Sequence, residues 1–210
     1  MPPTTDDRRA ALLAAAREVL AEKGYTGASM LEIARRARAS KETLYSHFGD
    51  KRGLFEALIL DNAAEVNAAL GAALEAAADM PPARALPRFC LALQRLLLGE
   101  AALVVNRAAI AEAAADPALG RLLVARGRDS TLPRLVRYLD GQRAAGRLRC
   151  DDATEAAEVL VALCMGDTQV RRLLGVLPQP DDATMARRAE SATRRFLALY
   201  GAEGFATFPA

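Results

Sequence analysis

Apolar residues recur at three- and four-residue steps along most of this chain, and no useful length alternates with the period of two that a strand needs. The pattern predicts an all-helical protein. A first helix over 8–23 turns Leu12, Ala16, Val19 and Leu20 inward and stops at Gly24. Ser29 then precedes an apolar run and has Glu32 three residues on, a capping-box start. Met30, Ile33, Ala34 and Ala37 share one face of that helix, with Arg35, Arg36 and Arg38 largely off it. Ser40 is the next N-cap, opening KETLYSHF with Leu44 and Phe48 at i, i+4. Asp50 can cap a long helix from 51 to about 78, roughly 40 Å at 1.5 Å per residue. MPP at 80–82 ends it, and helices follow through FCLALQRLLL and ALVVNRAAIAEAAA. Asp116-Pro117 opens a segment running to Gly127 or beyond, since Pro is suited to the first helical position. Helical pattern resumes after Pro133, weakens at Gly141 and stops at Gly146. Asp152 and Glu155 start a helix to about Gly175; LPQP is a loop; Asp181 or Asp182 caps a last helix to Tyr200. The tail GAEGFATFPA is expected to fray. DDAT occurs at 151–154 and 181–184 as two similar helix starts rather than as a repeat.

Two short helices, a turn of three or four residues, and a second helix with donors on its outer face describe a helix-turn-helix. Lys41, Thr43, Tyr45, Ser46 and His47 crowd five such donors into seven residues, which suits phosphate and base-edge contact. Lys51, at the start of the next helix, is placed to meet a phosphate. Ser29 and Met30 at the entry of the first helix and Ser40 at the entry of the second complete the expected DNA-contact set. Charge agrees modestly. Residues 1–52 hold ten basic and seven acidic side chains; 53–210 hold eighteen and nineteen. All three lysines, Lys23, Lys41 and Lys51, fall in the first stretch. An excess of three charges is small, so the motif's geometry carries the reading.

Catalysis fares badly. His47 is the sole histidine and sits inside the recognition helix. No HExxH, GxSxG or glycine-rich phosphate loop occurs, and no spacing singles out an acid–base pair, so no catalytic residue, metal site or cofactor is expected. Cys90, Cys150 and Cys164 form no CxxC pair and are odd in number, which points to a reducing compartment. The start MPPTTDDRRA lacks the plan of a signal peptide, and no apolar run approaches the ~20 residues of a membrane span. A cytoplasmic protein with no membrane partner is expected.

The stretches AALLAAAREVLAEKGYTGASM, LEIARRARASKETLYSHF and DKRGLFEAL resemble the TetR family of bacterial transcriptional regulators. More loosely, ALVVNRAAIAEAAADPALGRLL and YLDGQRAAGRLRCDDATEAAEVLVAL resemble its AefR-like regulatory domains. The family usually has Gly where this chain has Arg38, so a positive φ is expected on a non-glycine residue there. It usually opens its second helix differently from Met30-Leu31, which weakens any base contact at Leu31. The resemblance implies a DNA-binding domain over 1–52 and a helical regulatory and dimerisation domain over 53–210. The implied protein is a homodimeric repressor, released from a palindromic double-stranded operator by a small apolar effector. The alternative is an activator, or a regulator controlled by a partner protein without a ligand. A YxHF pattern implies a phosphate contact for His47. The last two helices are the implied dimer seam, with Leu160, Leu163, Ala192 and Phe196 in it; ordinary core is the competing reading. The implied effector cavity would draw on Phe89, Leu93, Gln94, Asn106, Arg107, Tyr138 and Gln169, with Leu97, Val104, Ile110, Leu135 and Leu163 as apolar lining.

Overall fold

The computed structural model describes residues 5–202. These form eleven α-helices and, outside them, one isolated antiparallel bridge between Leu148 and Gly201. The helices are α1 (Thr5–Gly27), α2 (Met30–Arg36), α3 (Lys41–Phe48), α4 (Lys51–Glu75), α5 (Pro82–Leu97) and α6 (Glu100–Glu112). They continue with α7 (Ala118–Arg126), α8 (Arg128–Ala144), α9 (Ala153–Met165), α10 (Thr168–Leu173) and α11 (Asp182–Tyr200). The tail expected to fray lies, from residue 203 on, outside the described residues.

Most helix starts are set by one side chain. Asp50 Oδ1 accepts from the Gly53 N–H at 2.8 Å, Asp116 Oδ1 from Ala118 at 2.9 Å and Asp152 Oδ1 from Thr154 at 2.7 Å. Asp181 Oδ1 accepts from Thr184 at 2.7 Å. Each satisfies a donor the helix leaves free, worth roughly 0.5–2 kcal/mol. The two DDAT copies differ in register: the second aspartate caps in the first copy, the first aspartate in the second. Within α1 the helix breaks at Gly24 (φ 67, ψ −179), the stop the sequence predicts.

Two elements depart from expectation. α8 begins at Arg128 and carries Pro133 inside it, whereas the apolar pattern starts only after that proline. Its buried residues begin at Leu135, so the exposed first turn leaves no periodicity to read. The helix predicted to run to Gly175 stops instead at Gly166 (φ 50) and restarts as α10. Arg172 of α10 is buried and donates from Nε and Nη2 to the Leu98 carbonyl at 3.3 and 3.2 Å, satisfying an orphan acceptor at the end of α5.

The contacts divide the chain into two compact units, and the division differs from a boundary at residue 52. One holds residues up to Ala64 together with Glu100–Arg126; the other holds Glu65–Gly99 together with residues from Gly127 on. In the first, α1, α2, α3 and the start of α4 bury Leu12, Val19, Ile33, Leu44 and Phe55 against Val104, Val105 and Ala108 of α6 and Leu119 of α7. In the second, α5, α9 and α11 pack around Leu86, Phe89, Cys90, Leu160 and Phe196, with Leu135 and Leu139 of α8 alongside. α4 runs from one unit into the other. Against the sequence expectation, it is long and apolar enough by length and composition to cross a membrane, but half of its most apolar window is buried inside the protein. Leu54, Leu58, Ile59 and Leu70 are fully buried, so core packing accounts for its apolar character.

Candidate nucleic-acid interface

The helix-turn-helix is fastened before it can present anything. Ile33 and Ala34 of α2 and Leu44 and Phe48 of α3 are buried together. Arg36 reaches back to α1, with Nη1 2.8 Å from Glu22 Oε1, Nη2 2.7 Å from its Oε2, and Nη1 3.3 Å from Glu18 Oε2. The Glu22 carboxylate is held below its usual range by that guanidinium. Lys23 pairs with Glu32. Glu32 therefore supplies only half of the expected capping box: its N–H bonds Ser29 Oγ at 3.2 Å while its carboxylate turns to Lys23. In the turn, the Ala39 N–H bonds the Ala34 carbonyl at 2.9 Å and the Arg38 N–H bonds the Arg35 carbonyl at 3.1 Å. Arg38 carries φ 50, the only positive value on a non-glycine among the described residues. Ser40 Oγ accepts from the Thr43 N–H at 3.0 Å and lies 2.9 Å from Thr43 Oγ1.

The outer face of α3 is exposed at Lys41, Tyr45 and Ser46, with Thr43 and His47 half-buried. Lys41 Nζ stands 5.4 Å from the centre of the Tyr45 ring. The hydroxyls of Ser29 and Ser40 serve as caps, accepting from the Glu32 and Thr43 N–H groups in the first turns of α2 and α3. Met30 is a correction: it is buried among the core residues of this unit, so its side chain has no reach toward a base. Lys51 is engaged differently from the sequence reading. Its Nζ donates to the Tyr25 carbonyl and stands 4.3 Å from the centre of the Tyr25 ring. Partial burial there pushes its pKa down, with Glu112 opposing. Tyr25 also meets Phe55 edge-on at 4.3 Å. At the next position Arg52 donates to Asp116 Oδ2 at 2.6 Å, tying α4 to the turn before α7. Tyr25 and Asp116 thus support this face from outside the motif, and no local spacing announces either.

An open concavity of about 620 Å³ borders α2 and the turn, lined by Lys23, Ser29, Leu31 and Glu32 and by Arg35, Arg36 and Arg38. Four of its seven lining residues are basic and one is acidic. A second, of about 410 Å³, lies at the end of α4 among Glu75, Asp79, Met80, Arg84 and Arg88, and touches no expected effector residue.

The expected effector residues are not gathered in one unit. Asn106, Arg107, Val104 and Ile110 belong to α6 in the first unit, where Val104 is core and Ile110 is 60% exposed. Asn106 Nδ2 bonds the Ala102 carbonyl of its own helix at 2.8 Å. Phe89, Leu93, Gln94, Tyr138 and Gln169 belong to the second. There Tyr138 OH bonds the Met80 carbonyl at 3.2 Å and Gln169 Nε2 the Leu97 carbonyl at 3.4 Å. Gln94 Nε2 bonds the Met185 carbonyl at 3.2 Å, while its Oε1 is buried without a hydrogen-bond partner. The expected seam also needs correction. Leu160, Ala192 and Phe196 are buried inside the single chain, and Leu163 is half-buried against the same core. Their helical periodicity comes from packing within the chain.

A buried two-helix angle, a charged turn and a donor-bearing recognition helix define a helix-turn-helix DNA-binding protein. The tetR family of bacterial regulatory proteins matches residues 12–58, and the C-terminal domain of AefR-like transcriptional repressors matches 84–202. A TetR-family transcriptional regulator from Mesorhizobium loti superposes with TM-score 0.83 at 28% identity, covering 93% of this chain and 98% of that one. A TetR transcriptional regulator from Agrobacterium tumefaciens gives 0.75 at 33% identity, over 94% and 96%. The HTH-type transcriptional activator FasR of Mycolicibacterium smegmatis is 50% identical over 54 residues, 26% of this chain and 25% of that relative's length. The chain belongs to the TetR family and is a DNA-binding transcriptional regulator rather than an enzyme.

Proposed function

We propose that this regulator binds a near-palindromic operator as a homodimer in the bacterial cytoplasm, represses from it, and is released by a small, largely apolar effector. The observation that carries the DNA contact is the outer face of α3, where Lys41, Tyr45 and Ser46 stand exposed on a helix pinned from behind by Leu44 and Phe48. Thr43 and His47 flank them, half-buried on the same helix. Lys51 contributes to phosphate binding by leaving its seat on Tyr25. Two copies are needed to read half-sites ~34–36 Å apart. With Leu160, Ala192 and Phe196 consumed by the core, the seam falls to the outward side of α9–α11, where Val170, Leu174 and Leu199 are 56%, 70% and 64% exposed. The match to AefR-like repressors supports repression. Effector binding draws its support from Gln94, a buried acceptor with no protein partner beside Phe89 and Leu93. A ligand hydroxyl or N–H offered there recovers a hydrogen bond that is costly to leave unmade.

Selection from a random duplex pool tests the reading. Binding of the selected site is expected in the ~10⁻⁸–10⁻¹¹ M range, falling steeply with salt. Lys41→Ala should weaken it and shift base preference; a protein that enriches no sequence above background sinks the proposal. Activation is the second reading, favoured by the likeness to an activator over the helix-turn-helix. Transcription in vitro from the selected site separates the two by its sign.

A further inference from the structure

We propose that Arg38, in the turn of the helix-turn-helix, is an additional phosphate-contacting residue that extends the DNA footprint beyond the recognition helix. The proposal rests on the DNA-binding reading and adds a contact where the family's usual turn residue has no side chain.

The turn itself has no use for an arginine. Its two backbone hydrogen bonds, Arg38 N–H to Arg35 and Ala39 N–H to Ala34, need a positive φ and nothing more. Glycine takes that conformation without penalty, while a residue with a Cβ pays for it. A backbone outlier kept on a side-chain-bearing residue points to a use for the side chain. The surroundings say what that use is. Of the acids near the turn, Glu18 and Glu22 pair with Arg36 and Glu32 with Lys23, while the Glu42 carboxylate is held by its own N–H and by Ser40 at the start of α3. Among the described residues Arg38 and Arg35 have no ion pair, and both are exposed on the concavity beside α2. Arg38 stands two residues before the cap of α3 and three before Lys41. A motif that puts the start of its recognition helix into the major groove carries this turn to the bordering backbone. A guanidinium there meets phosphate oxygens with its planar fork and reads no base.

The test compares full-length wild type, Arg38→Gly, Arg38→Ala and Arg38→Lys on the selected operator and on unrelated duplex, each over a range of salt. Removing the contact should flatten the slope of log K against log salt by about 0.9 per protomer, roughly 1.8 per dimer. Affinity at 0.1 M salt should drop on the order of tenfold, alike on both duplexes. Arg38→Gly should also melt higher, because the backbone penalty goes with the side chain. Arg38→Ala should lose the slope without that gain, and Arg38→Lys should keep the slope. Stability and DNA binding thus move in opposite directions in Arg38→Gly, which a turn-forming role alone does not produce. Wild-type slope and affinity in both Arg38→Gly and Arg38→Ala would overturn the contact while leaving the DNA-binding reading intact. A wild type that binds no duplex would overturn both.

Discussion

Cys90 and Cys164 lie side by side in the core of the second unit, with Cys164 Sγ 3.4 Å from the Cys90 carbonyl. The hydrogen bond to Cys164, then burial, pushes the Cys90 thiol well up, so at neutral pH it stays protonated and unreactive. Cys150 is half-exposed, and burial pushes its pKa up as well, so its thiolate fraction grows as pH rises above neutral. A water-soluble maleimide should therefore modify one thiol in the folded protein, faster at higher pH, and three after denaturation. Cys150→Ser should abolish the native reaction; mass spectrometry finding Cys90 labelled as fast as Cys150 contradicts the burial argument. The same scale shows what a sequence can convey. Caps such as Ser29, Ser40 and Asp181 are legible because donor and acceptor lie within three residues of each other. Burial partners are not: Met30 and Phe196 carry the periodicity of any apolar face, which cannot say whether the face meets its own chain, a partner or DNA. Lys51 reads as a free cation only until Tyr25, 26 residues away, is folded onto it.

At the level of elements, α11 carries apolar side chains in two settings that its sequence does not distinguish. Phe196 is fully buried in the chain's own core, whereas Leu199 is 64% exposed. Phe196→Asp should cost about 3–5 kcal/mol or more and yield unfolded or insoluble protein. Leu199→Asp should leave helicity and melting almost unchanged while shifting light scattering from dimer to monomer. A Leu199→Asp protein as dimeric as wild type would remove the outer side of α11 from the seam. Helix existence was legible for most of the chain because Ala-rich periodicity and caps agree. The missed boundaries have physical causes: Pro133 sits within a helix whose first three residues are exposed, and Gly166 takes a positive φ that composition alone does not signal.

For the whole molecule, α4 is the continuous element that begins beside the recognition helix and ends in the second unit, and Glu65 is where one unit gives way to the other. An effector that releases DNA must bind the non-binding arrangement more tightly, and by linkage operator and effector weaken each other by the same factor. Glu65→Pro, which breaks a helix at a cost of about 3 kcal/mol, should uncouple them while each still binds. A titration in which the proline variant shows wild-type coupling would show that α4 is not the route.

The place of α6 and α7 has a consequence for how the protein is made. They lie in sequence between two parts of the second unit, yet they complete the hydrophobic core of the first. A ribosome delivering the chain from its N-terminus releases α1 and both helices of the DNA-reading motif long before Val105 and Leu119 arrive to cover them. Until residue 126 has emerged, that motif has an open flank, and until α11 has emerged the second unit has no Phe196. The nascent regulator therefore matures as two interleaved halves, neither of which can finish from a contiguous piece of the message.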